Sequence, residues 1–74
     1  MNIQAQFNNE AINSLPCVSS AIKECTDSFS KNQMRHHALR RISNTSIPLD
    51  EMTEKQKLSF AQSLIEEFKN NQWI

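Results

Sequence analysis

Apolar residues recur along this chain with a helical period, but the phase of the repeat shifts between segments. Over residues 17–30, CVSSAIKECTDSFS, the positions Cys17, Val18, Ala21, Ile22, Cys25 and Phe29 fall within about 140° of a helical wheel. Ser19, Ser20, Lys23, Thr26, Asp27 and Ser30 fill the other side. Pro16 ahead of the stripe suits a first helical turn, where its missing N–H has no partner to lose. The spacing predicts an amphipathic helix over about 17–29.

Met34, Ala38 and Ile42 keep the every-fourth spacing, but they are rotated from the first stripe by most of a right angle. One straight helix cannot carry both stripes. Ser30-Lys31-Asn32-Gln33 has the form of a capping box, with Ser at the N-cap and Gln three residues on. A break near 30–32 and a second helix over about 31–43 are therefore expected, one long bent helix being the rival arrangement. Residues 44–50, NTSIPLD, form the expected loop, because Pro48 forces Ile47 out of helical geometry. The chain contains no glycine, so Asn is expected wherever a left-handed cap is needed, with Asn44 closing the second helix. Ile47 and Leu49 are expected to pin the loop to the core.

The last helix is expected over about 51–70. Asp50 or Thr53 can cap it, and Thr53-Glu54-Lys55-Gln56 forms a second capping box. Leu58, Phe60, Ala61, Leu64, Ile65 and Phe68 share a stripe of about 160°. Trp73 follows in a fraying end, able to fold back on the core or to anchor a partner. Near the start, Ile3, Phe7, Ala11 and Leu15 recur every fourth residue while Ile3, Ala5 and Phe7 also alternate. A short helix over about 8–15 with a loose start at 1–8 is the preferred reading. Together these elements predict an all-α single domain over 1–74, a small bundle of three to four short helices (about 8–15, 17–29, 31–43 and 51–70) with antiparallel neighbours.

Composition narrows the function classes. With 74 residues the core is small, and oligomerisation is a live means of adding burial. Eight Lys+Arg balance eight Asp+Glu, so the molecule as a whole has no field that would draw it to nucleic acid. No apolar run approaches the roughly 18 residues of a membrane span, and the opening residues lack the basic and apolar regions of a secretory signal. A cytoplasmic location, no membrane association and free Cys17 and Cys25 thiols are the expectation.

Four candidate chemistries then compete. The segment KNQMRHHALRRIS, residues 31–43, carries half of the positive charge and both histidines. On its wheel His36, His37, Arg40 and Arg41 lie opposite Met34, Ala38, Leu39 and Ile42, while Arg35 falls beside the apolar residues and is expected to snorkel. Such a face can track phosphates, and Lys31, Arg35, His36, His37, Arg40 and Arg41 are the nucleic-acid candidates. The helix–turn–helix layout of 17–43 fits this alternative in outline only. A solvated face is the plainer explanation in a neutral domain.

Metal binding has little support. Cys17 and Cys25 would lie about 12 Å apart along one helix, and His36 and His37 diverge by about 100°. The same separation excludes a disulfide between these cysteines within one helix. Neither a metal nor any other cofactor is expected. Phosphate cradles, zinc-hydrolase motifs and nucleophile elbows are missing from the sequence. Glu66 and Glu67 read as a solvated pair, and Cys25 with His36 lacks a third orienting group. No enzymatic activity and no small-molecule substrate are therefore expected.

A protein-binding face remains. Phe60, Leu64 and Phe68 stand at helix-in-groove spacing, with Trp73 beyond them. The expected function is that of a small non-enzymatic intracellular regulatory or adaptor protein. It would bind a protein partner, or itself, through an apolar helix face carrying Phe60, Leu64, Phe68 and Trp73. The alternative is a small DNA- or RNA-binding regulator using the basic helix 31–43.

Overall fold

The computed structural model describes residues 11–74, and these are all-helical in architecture. The main elements are α1 (Pro16–Glu24), α2 (Ser28–Ser43) and α3 (Glu54–Asn70), with a short 3-10 turn at Leu49–Glu51 before α3. Residues 11–13 are helical too. The expected helix over 8–15 falls partly outside the described residues, and the expected loose start at 1–8 falls wholly outside them.

Each boundary has a local cause. The break between the first two helices comes at residues 25–27, not at 30–32 as the Ser30 capping box suggests. Asp27 takes the N-cap instead, its carboxylate accepting the Ser30 backbone N–H at 2.9 Å. A carboxylate at this position also meets the positive end of the helix dipole. Hydrogen bonds from the Ser30 backbone and side chain hold the Asp27 carboxyl below its ordinary value. α2 ends at Asn44, whose N–H reaches the carbonyls of Arg40 and Arg41. The expected loop at 44–50 holds over 44–48 and then tightens into the 3-10 turn.

α3 begins at Glu54 and not at 51, behind the complete Thr53–Gln56 capping box. The Gln56 N–H donates to Thr53 Oγ1 at 3.1 Å, and the Thr53 N–H donates to Gln56 Oε1 at 2.9 Å. Its other end turns at Gln72, which has φ 64° and is the sole described residue at positive φ. Trp73 N–H bonds Phe68 O and Gln72 N–H bonds Lys69 O, both at 3.0 Å. This pair of bonds is a Schellman closure with glutamine in the left-handed position that glycine would favour. The expectation that Asn supplies the left-handed cap is therefore corrected, because Asn44 and Asn71 cap with negative φ.

The core consists of Ile12, Leu15, Val18, Ile22, Met34, Ala38, Ile42, Ala61, Leu64 and Phe68. α1 packs chiefly on α3 and also against α2. The stripe of α2 falls on the positions expected for it; that of α3 does so except at Leu58, which is exposed one turn from the helix start, and the stripe of α1 is narrower. Cys17 is exposed and Cys25 half-buried. Phe29, expected in the α1 stripe, is 65% exposed. Once the break moves to 25–27, Phe29 joins the first turn of α2 about 180° from the middle of its buried stripe. Ile47 remains exposed while Leu49 packs against the core.

Candidate functional site

α2 and α3 meet above the core along a polar and aromatic seam. On α2, His37 and Arg41 stand one turn apart, and on α3 Ser63 and Glu67 do the same. Residues four apart share a helix face, so two such pairs can interlock if the helices run antiparallel. They do. His37 Nε2 lies 2.5 Å from Glu67 Oε1, Arg41 Nε donates to the same oxygen at 3.1 Å, and an Arg41 Nη2–H donates to Ser63 Oγ at 3.2 Å. Since an ionised carboxylate only accepts, the imidazole Nε2 carries the proton in this contact.

Aromatic rings close both ends of the seam. The Arg41 guanidinium sits 5.4 Å from the centre of the Phe60 ring, a cation–π contact of about 0.5–1 kcal/mol at a partly exposed site. At the other end Trp73 is turned back by the Gln72 closure and meets the edge of His37, ring centres 5.6 Å apart. Trp73 also tilts against Phe68 at 6.1 Å, and His37 meets Phe68 at the same separation. The order along the surface is thus Phe60, Arg41, Glu67, His37, Trp73. His37, Glu67 and Arg41 are partly exposed at 27%, 31% and 35%.

Electrostatics reinforces the interlock. Partial burial works to raise the Glu67 carboxyl, but the hydrogen bonds and positive charge of His37 and Arg41 outweigh it. The carboxyl is held below its ordinary value of 4.5. A carboxylate with two such donors favours its charged form.

The placement of the sequence candidates follows from this geometry. Leu64 and Phe68 are fully buried in the core and present no surface to a partner, whereas Phe60 and Trp73 are half-buried at the two ends of the seam. The basic residues of α2 do not share one wet face, because His37 and Arg41 turn toward α3 and pair with Glu67. Arg35, His36 and Arg40 are exposed, and Lys31 is half-buried. Glu67 is the hub of the seam and not half of a solvated pair with Glu66, which is exposed. Its role was missed by reading each helix alone. The available signal was the matching four-residue spacing of a cationic pair on α2 and an acceptor pair on α3.

Among the described residues, no group of three or more His, Cys, Asp or Glu converges as a metal site requires. The Cys25 Sγ lies 3.5 Å from the Asp27 carbonyl, to which it donates. No described helix is long and apolar enough to cross a membrane. Comparison with protein-family models, curated proteins and solved structures finds no match to this chain.

Proposed function

We propose that the protein works by binding a protein partner, as a small regulatory or adaptor module, through the seam between α2 and α3. The observation that carries this reading is the mutual fixing of Phe60, Arg41, His37 and Trp73 around Glu67 while each keeps part of its surface open. Trp, Phe and Arg are the residue types enriched where partners contribute most to affinity. Side chains already held by neighbours lose less rotamer freedom on binding. The nucleic-acid alternative has less support, since pairing His37 and Arg41 with Glu67 leaves Arg35, His36 and Arg40 as the exposed cations of α2.

Affinity capture from source cells tests both readings. Wild-type protein and the Trp73→Ala/Phe60→Ala variant are compared, each with and without nuclease. A protein that is retained after nuclease and lost with the variant supports the seam. Retention that vanishes with nuclease and ignores the variant, but falls with Arg35→Ala/Arg40→Ala, replaces it with the nucleic-acid reading.

A further inference from the structure

The edge of α3 away from α2 is open, and its residues form a self-complementary pattern. Glu54, Leu58, Gln62, Ile65 and Lys69 fall within about 80° of one another on the helix. Leu58 is 52% exposed, and Ile65 is half-buried against the core. Glu54, Gln62 and Lys69 are exposed. A groove of 660 Å³ opens beside this stripe, with Gln62, Ile65 and Lys69 on its stripe side, Ser59, Ser63 and Glu66 farther round α3, and Cys17 at the start of α1.

The order of residues decides what this edge fits. When two copies of α3 pair antiparallel about a two-fold axis between Ala61 and Gln62, each residue faces the one equally far beyond the axis. Glu54 then faces Lys69 of the second copy, and Leu58 faces its Ile65. Both contacts occur twice, as two-fold symmetry requires. Lys55 also comes within a long side chain's reach of Glu66 of the second copy. A parallel pairing would instead set Glu54 against Glu54 and Lys69 against Lys69, which is repulsive. The opposed helix dipoles add to the preference for the antiparallel arrangement. A chain of 74 residues with a small core also gains from further apolar burial.

We propose that this edge of α3 is a homodimer interface, with a second copy of the chain as its occupant in an antiparallel α3–α3 pair. Its facing pairs use none of the seam residues, and it does not depend on the seam's function.

Charge reversal tests it on the full chain. Sedimentation equilibrium on the wild type over about 1 µM to 1 mM is expected to show the average mass climbing from the 8.6 kDa monomer toward twice that value. Glu54→Lys alone and Lys69→Glu alone each place like charges at both ends of the pair. Each is expected to weaken dimerisation by roughly tenfold or more. An equimolar mixture of the two variants restores opposite charges at both ends and is expected to dimerise again. Leu58→Asp, at an exposed position, is expected to abolish association while leaving the helical circular dichroism unchanged. A wild type that stays monomeric throughout overturns the proposal. So does a dimer that ignores the single reversals, or single variants that stay folded but are not rescued by mixing.

Discussion

The two flanks of α3 solve the same problem by different means. Toward α2 the helix closes with a carboxylate, two hydrogen-bonding partners and a ring at each end, above the buried Leu64 and Phe68. On the other flank it carries Leu58 and Ile65 between Glu54 and Lys69, with no ion pair on that edge among the described residues. The polar flank fixes the register of two helices, because each donor has one geometrically suitable acceptor. An apolar pair such as Leu58 and Ile65 is less particular about register, and the flanking charges must select it. The difference predicts unequal sensitivity to mutation.

The largest effect should come from beneath the seam. Phe68 is fully buried and touches both His37 and Trp73. Phe68→Ala should cost about 3–5 kcal/mol, most of the stability available to a domain this small. Urea denaturation monitored by helical circular dichroism measures it, and a loss under about 1 kcal/mol would mean that the polar flank does not rest on this ring.

Next comes the hub. Glu67→Ala leaves the His37 and Arg41 donors without their shared acceptor at a partly exposed site, and a loss of about 1–2 kcal/mol is expected. The pH dependence has a definite sign. Because the folded-state carboxyl is held below 4.5, its contribution is present above that value and fades as pH falls through the folded-state value. The stability gap between wild type and Glu67→Gln should therefore be widest at neutral pH and shrink on acidification below about 4.5. A gap that stays constant across this range would show that shape, not charge, makes the contact.

A stabilising change is expected at the turn that delivers Trp73 to the seam. Gln72 occupies the left-handed region, and Gln72→Gly should raise stability by about 0.5–1 kcal/mol. A lower melting temperature would argue that the Gln72 side chain contributes more than its backbone strain costs. The smallest effect belongs to the open flank. Leu58→Ser should change the stability of the dilute monomer by less than about 0.5 kcal/mol, in contrast to the effect on association expected of this face. A large loss at low concentration would place Leu58 in the monomer's own core.

Much of the fold was legible from spacing. Met34, Ala38 and Ile42 are buried on α2, as are Ala61, Leu64 and Phe68 on α3, because amphipathic periodicity records which face meets the core. The Thr53 capping box was legible because it is a local pattern whose two bonds both form. The first break was misplaced because two caps stand three residues apart. Asp27 and Ser30 are both good N-cap residues, and wheel geometry alone does not rank them. The Asp27 choice adds three residues to α2 and carries Phe29 out of the core.

The seam was half legible. Phe60 and Trp73 stand out in the sequence as aromatic anchors and stay partly open, but Leu64 and Phe68, expected beside them, are core. His37 and Arg41 could not be told from their exposed neighbours without knowing which helix faces them. Glu67 is a plain polar position until α2 is laid against it.

Trp73 gives the molecule an optical property as well. It is the single tryptophan in a chain with no tyrosine, and it lies against His37 and Phe68 at one end of the seam. Nearly all of the native ultraviolet emission therefore originates at that end. Anything that covers or pries open this end of the seam should alter the colour and intensity of that light. Events on the far flank of α3 should leave it almost unchanged, so one unlabelled chain can report which of its two sides has been engaged.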